Sequence, residues 1–289
     1  MPLYRPSELL QLDISPKRTL SQNFLIDRNV LDKIVKVAEI KKGDLVVEIG
    51  PGPGALTEAL LAQGAEVVAL EKDQVLSQKL KEWKDPHLEV IEIDALEFSL
   101  EEWIQEKKKT KTISQIKVVA NLPYHITAAL LKAFLPLSLY IKTLTVLVQR
   151  EVGEKMIAKP GSKKSAPGRY GLLSLWVSSY ATALYCFTIK PTSFFPSPSV
   201  HSCVMHLSLH SFPFSFDSEG FFEMLSIAFS HRRKMLKVSL KERWEGALIE
   251  KALVSAKLSL QVRPEQLSLE DFGKIYTLLC SGRSKEKTK

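Results

Sequence analysis

Cysteine is scarce in this sequence: Cys186, Cys203 and Cys280 are the only three among 289 residues, widely scattered and in no CxxC pair. An odd, dispersed set offers neither a disulfide framework nor a thiolate metal site, and it fits a reducing compartment. Long apolar runs are missing too. The most apolar stretch, Leu130 to Val148, is broken by Lys132, Pro136 and Lys142, and the opening MPLYRPSELLQLD has no basic segment leading into an apolar one. Neither a membrane span nor a secretory leader is expected, so the chain reads as soluble and cytoplasmic. No internal repeat is visible. With 45% apolar and 25% charged residues the composition excludes a chain disordered throughout, a collagen-like repeat and a coiled coil. Acids are in deficit: 40 Lys and Arg against 32 Asp and Glu leave a net charge of +8, with a pI near 9.2. A polyanionic partner follows, nucleic acid ahead of an anionic membrane surface.

From Asp44 short apolar runs alternate with helical patterns. DLVVEIG (44–50), EVVALEK (66–72), LEVIEID (88–94), IKVVANL (116–122) and TLTVLVQ (143–149) read as strands; ALTEALLAQ, stopped by Gly64, QVLSQKLKEW and TAALLKAF read as the helices between them. The pattern predicts an α/β, doubly wound, mostly parallel sheet of Rossmann-like form. ALYCFTI (183–189) and VHSCVMHLSL (200–209) follow with no helix between them, which predicts an antiparallel edge. SFPFSFDSEG (211–220) reads as a linker, and beyond it the pattern is helical, through FFEMLSIAFSHRRKMLKVSLKERW, ALIEKALVSAKL and LEDFGKIYTLL to a frayed tail, SGRSKEKTK. The expected division is a sheet domain over 1–210 and a small helical domain over 211–289.

The first chemical motif is VVEIGPGPGALTEALL, where a strand runs into Gly50, Gly52 and Gly54 and opens a helix. Such glycines allow a tight turn and close approach of backbone N–H groups to a ligand, and a nucleotide-like ligand is favoured over a merely structural turn. Glu71 closes the next strand 21 residues after Gly50, near the spacing of about 20 at which an acid takes both ribose hydroxyls. Asp94 ends the third strand, where a side chain faces an adenine amino group; a solvated strand-end carboxylate explains it equally well. The fourth strand ends in Asn121-Leu122-Pro123-Tyr124. An adenine N6 amine is a poor nucleophile because its lone pair is delocalised. The side-chain oxygen of Asn121 and the carbonyl of Leu122 can accept both N6 hydrogens and localise that pair, Pro123 fixes the turn, and Tyr124 can stack on the base. As a bare tetrapeptide the motif is also an ordinary turn.

Taken together, SQNFLID (21–27), EIGPGPGALT (48–57), LEKD (70–73), DAL (94–96), NLPY (121–124), FFPSPSVHS (194–202) and FSHRRKML (229–236) resemble, in order and across nearly the whole chain, the ribosomal RNA adenine dimethyltransferases. The resemblance implies that S-adenosylmethionine is held by Asn23, Leu25, Gly50, Glu71, Asp94 and Asn121, with Gly52, Gly54 and Ala95 of the same motifs beside them. It implies a substrate of two neighbouring adenosines, in a hairpin near the 3′ end of small-subunit rRNA, each methylated twice on N6, and a monomeric enzyme with no metal. Ser21 stands where the family usually has Gly, and His201 where it usually has Asp.

Phe194 and Phe195, beside Pro196 and Pro198, offer a sandwich for a flipped base opposite Tyr124, with core packing the alternative for one of the two. HRRKMLKVSLKER (231–243) carries Arg232, Arg233, Lys234 and Lys237 and reads as a phosphate-contacting face. KPGSKKSAPGR (159–169) reads as a mobile basic loop and EKKKTK (106–111) as a solvated loop insertion. His201, His206 and His210 lack a carboxylate or thiolate cluster, so no metal is expected. Rival readings are a large-subunit rRNA methyltransferase of the macrolide-resistance type, a non-catalytic ribosome-assembly factor and an NAD-dependent dehydrogenase.

Overall fold

Five apolar runs that alternate with amphipathic helices have only one economical arrangement: side by side, parallel, with helices covering both faces. The computed structural model, which describes residues 6–11, 14–17, 22–109, 115–122, 126–161, 170–231 and 234–286, has that arrangement. It divides into two compact units, one of residues 1–153 and 181–211, the other of residues 154–180 and 212–289. The division differs from a cut at residue 210, because 27 residues before the last strands group with the carboxy-terminal helices.

In chain order the elements are α1 (Pro6–Gln11), β1 (Phe24–Leu25), α2 (Arg28–Val37), β2 (Leu45–Ile49), α3 (Ala55–Ala62), β3 (Glu66–Glu71), α4 (Gln74–Lys81), β4 (Leu88–Glu92), α5 (Leu100–Lys108), β5 (Ile116–Asn121), α6 (Thr127–Phe134) and β6 (Ile141–Gln149). Then come α7 (Arg150–Met156), α8 (Leu172–Tyr180), β7 (Ala181–Ile189), β8 (Phe194–Phe195), β9 (Ser202–Leu209), α9 (Ser218–Ser230), α10 (Leu236–Leu240), α11 (Gly246–Ser255) and α12 (Leu269–Glu286).

In the first unit the large sheet runs β4-β3-β2-β5-β6-β9-β7. The pairs from β4 to β6 are parallel, and β9 pairs antiparallel with both β6 and β7. The chain changes direction of travel between β2 and β5, which opens a crevice at their carboxyl ends, where Gly50 and Asn121 sit. A separate two-stranded ladder pairs Phe24 with Phe195 and Leu25 with Phe194. Its neighbour α2 is capped by Asp27, whose carboxylate accepts from the N–H groups of Asn29 and Val30 and from the Ser193 hydroxyl at 2.9 Å. One side of the sheet packs Val46, Val67, Val119 and Val204 against Leu31, Ile34, Leu56 and Leu60 of α2 and α3.

The second unit is built on aromatic contacts. Trp176 of α8 meets Phe222 of α9 with ring centroids 3.8 Å apart, and Tyr180 stacks on Phe222 at 5.8 Å. Phe212, Phe214 and Phe216 pack on one another and on Phe221, so the expected linker is part of this unit's core. The helical run after residue 220 is interrupted between α9 and α10, and α12 continues to Glu286 where a frayed tail was expected. Residues 106–108 are the end of α5, not a loop, and Lys109 caps it; residues 110–111 of that charge run and 162–169 of the basic loop lie outside the described residues. The strands and the fold class are as the sequence predicts.

Candidate active site

The turn after β2 requires glycine for two separate reasons. Gly52 (φ 58°) and Gly54 (φ 94°) hold left-handed backbone conformations that favour glycine. A methyl group at Gly54 would lie 2.5 Å from the Trp83 ring, and one at Gly52 would lie 3.2 Å from the ring of Phe24. The bare turn lets the Gly52 N–H reach across to Glu71 Oε2 at 3.0 Å, while the Asp73 N–H donates to Glu71 Oε1 at 2.8 Å. Each carboxylate oxygen keeps a further lone pair for a ribose hydroxyl. Burial raises the Glu71 pKa; the backbone N–H groups of Asp73, Gly52 and Lys72 oppose the rise, and the charge of Asp73 adds to it.

Glu48 is the group the sequence reading passed over. It lies within β2, is 1% exposed, and neither carboxylate oxygen has a hydrogen-bond partner. Burial pushes its pKa up to about 8; the Thr57 hydroxyl, near but outside hydrogen-bonding geometry, offsets part of this, and the Glu71 charge adds to it. Its carboxyl lines one cleft with Gly50, Gly52, Leu25 and Asn121. A visible signal existed: an acid in the middle of the run VVEI, in a strand covered on both faces, is expensive unless it serves a ligand.

Asn121 and Asn23, 98 residues apart, meet directly. The Asn121 amide nitrogen donates to the Asn23 carbonyl at 3.0 Å. Since a carbonyl can only accept, this orients the side chain and leaves its oxygen as the remaining acceptor. Leu122 is buried, and Pro123 and Tyr124 lie outside the described residues, as does Ser21. Asp94 follows β4: its Oδ1 accepts from the Leu96 N–H at 3.0 Å and its Oδ2 from Lys72 Nζ at 2.7 Å, with Ala95 buried alongside. Lys72 thus bridges the ends of β3 and β4.

The two phenylalanines separate. Phe194, 4% exposed, packs in the core with Leu25, Leu147, Ile189 and Val204, the alternative that the sequence left open for one of the two. Phe195 is half-buried and packs on the cluster of Leu9, Ile14, Phe24 and Leu76. His201 is exposed, and its carbonyl accepts the Arg150 N–H at 2.9 Å. His206 shares a hydrogen bond with Thr145 across β6 and β9 at 2.9 Å. In the second unit Lys234 is exposed and Lys237 pairs with Glu250 at 3.1 Å, while Arg232 and Arg233 lie outside the described residues.

Ribosomal RNA small subunit methyltransferase A of Protochlamydia amoebophila is 43% identical over 97% of this chain and 99% of its own length. The protein of that name from Chlamydia trachomatis is 42% identical over 91% and 92%. Among solved structures, a dimethyladenosine transferase from Plasmodium falciparum superposes with a TM-score of 0.71 at 24% identity, over 91% of this chain and 98% of its own. The 23S rRNA methyltransferase ErmE superposes with 0.65, also at 24% identity, over 89% and 100%; these two show the shared fold. Residues 15–280 match the family described as ribosomal RNA adenine dimethylase, and the chain belongs to that family.

Proposed function

We propose that this enzyme transfers methyl groups from S-adenosylmethionine to N6 of two neighbouring adenosines in a hairpin near the 3′ end of small-subunit rRNA, twice on each. Relatives at 42–43% identity that bear the small-subunit name support the choice of RNA. The observation that carries the chemistry is the orientation of Asn121, whose nitrogen is committed to Asn23 and whose oxygen stays free to accept. The cleft fits the cofactor: a glycine turn that a Cβ would fill, a bidentate acid in Glu71, and the unpartnered carboxyl of Glu48, suited to an ammonium group. When bound, S-adenosylmethionine supplies an electrophilic methyl group on a positively charged sulfur.

Asn121 Oδ1 and the Leu122 carbonyl take the two N6 hydrogens and draw the nitrogen lone pair out of the ring, toward the cleft. Phe195, with Tyr124, holds the base. Methyl transfer is then a direct in-line displacement that the site aligns, and the proton leaves to water because N6 is strongly acidic once methylated. The test is transfer of labelled methyl to under-methylated small subunits, with matched large subunits as control and nucleoside analysis of the product. Dimethyladenosine in small-subunit RNA, reduced about 100-fold in Asn121→Ala, is the expected result. Label only in the large subunit would move the enzyme to the resistance type.

A further inference from the structure

Asp73, two residues beyond the ribose-facing Glu71, is 3% exposed and saturated with donors. Its Oδ1 accepts from Lys17 Nζ at 2.9 Å and from the Val75 N–H at 3.0 Å, and its Oδ2 accepts from Gln22 Nε2 at 3.1 Å. The Lys17 N–H in turn donates to Gln22 Oε1 at 2.8 Å, so the two donors are held as a pair. Burial alone would raise the Asp73 carboxyl; the bonds from Lys17 and Gln22 outweigh it and hold the group below its usual value. Beneath these polar contacts, Leu9 and Ile14 are buried against Phe24 and Leu76, the latter on α4 just after Asp73.

The next residues run straight into the site. Asn23 gives its carbonyl to Asn121, and the ring of Phe24 lies over Gly52. Meanwhile the backbone N–H of Asp73 fixes Glu71 Oε1. One residue therefore anchors the amino-terminal strap by its side chain and aligns the cofactor-facing acid by its main chain.

We propose that Asp73 is a positioning residue for the cofactor: it latches the strap, through Lys17 and Gln22, to the β3–α4 junction, so that Glu71 and the residues facing Gly52 and Asn121 are set as one piece. The inference rests on the cofactor reading above. A latch of this kind acts on cofactor affinity through Glu71 and Phe24 and on Asn121 through Asn23, although none of its own atoms touches the reacting groups.

The test uses the full chain with Lys17→Met, which removes the ion pair at a half-exposed side chain and leaves the α4 cap in place, and Asp73→Asn as the stronger variant. Two readouts are taken: hydrogen exchange of the Gly52 and Asp73 amides without cofactor, and the Kd of S-adenosylmethionine with kcat at saturation. In Lys17→Met the two amides exchange faster and Kd rises about fivefold, with the melting temperature near wild type. A larger loss of affinity is expected for Asp73→Asn. Either readout at its wild-type value in Lys17→Met overturns the latch, whatever Asp73→Asn does to folding. A wild-type protein that fails to bind S-adenosylmethionine overturns the cofactor reading instead, and the exchange arm, which needs no cofactor, then decides the latch by itself.

Discussion

Glu48 keeps a carboxyl inside the sheet with a pKa near 8, against about 4.5 in the unfolded chain. The native state therefore holds this proton over a pH range in which the unfolded state has given it up. From pH 4.5 upward each unit removes as much as about 1.4 kcal/mol of stability, until the native group also ionises near pH 8. Urea unfolding at pH 5, 6, 7 and 8 is expected to show Glu48→Gln gaining on wild type by a few kcal/mol in total across that range; parallel curves would mean that Glu48 is ionised in the native state. Much of the site was legible at this scale. The glycines, Glu71 and Asn121 stand in local motifs, each with an ordinary structural alternative, and it is their occurrence together and in order that points to a site. Glu48 was legible and overlooked. The roles of Asn23, Asp73 and Lys17 were not, because their partners lie 56 to 98 residues away and only the folded sheet brings them together.

Among the elements, α3 depends on a start that no side chain caps. Its first turn follows Gly54, whose missing Cβ makes room for Trp83 and Leu80 behind it. Gly54→Ala combines a left-handed strain with a collision against a ring, a cost of about 3 kcal/mol, and should displace the turn that carries Gly52. Thermal unfolding and cofactor titration check this together: the variant melts lower and binds weakly, whereas a stable variant of normal affinity would show that the ring yields. The inner parallel strands were legible because strands buried on both faces are largely continuous apolar runs, and the edge strand β4 because its apolar and acidic residues interleave. The helix α8 was missed for the opposite reason: LLSLWVSSY has no charged residue to mark a solvent face, so no period of 3.6 stands out. The helix α5, LEEWIQEKK, is so polar that its lysines read as a loop although Ser99 caps it and acids fill its first turn.

For the molecule as a whole, the two units are not two consecutive stretches of chain. A fragment of residues 1–210 retains α8 but loses Phe212 and Phe222, the rings on which Tyr180 and Trp176 pack. Light scattering and binding of a hydrophobic dye should find this fragment associated and dye-positive where the full chain is neither; a clean monomer without dye would mean that α8 finds another cover. The sequence reading put this boundary at residue 210 because composition changes there, whereas the packing partners of 172–180 are invisible to composition. The two-residue ladder of Phe24 and Leu25 with Phe195 and Phe194 carries a consequence in time. The strap that borders the cofactor cleft is synthesised some 170 residues before its partner strand. At about 5 to 20 residues per second, roughly ten to thirty seconds pass between the two. A nascent chain of between about 125 and 195 residues has every glycine of the cofactor turn, Asn121 and the Asp73 latch, yet lacks the strand that pairs with the strap at Phe24 and Leu25. The strap is thus fully paired only once most of the chain has been made.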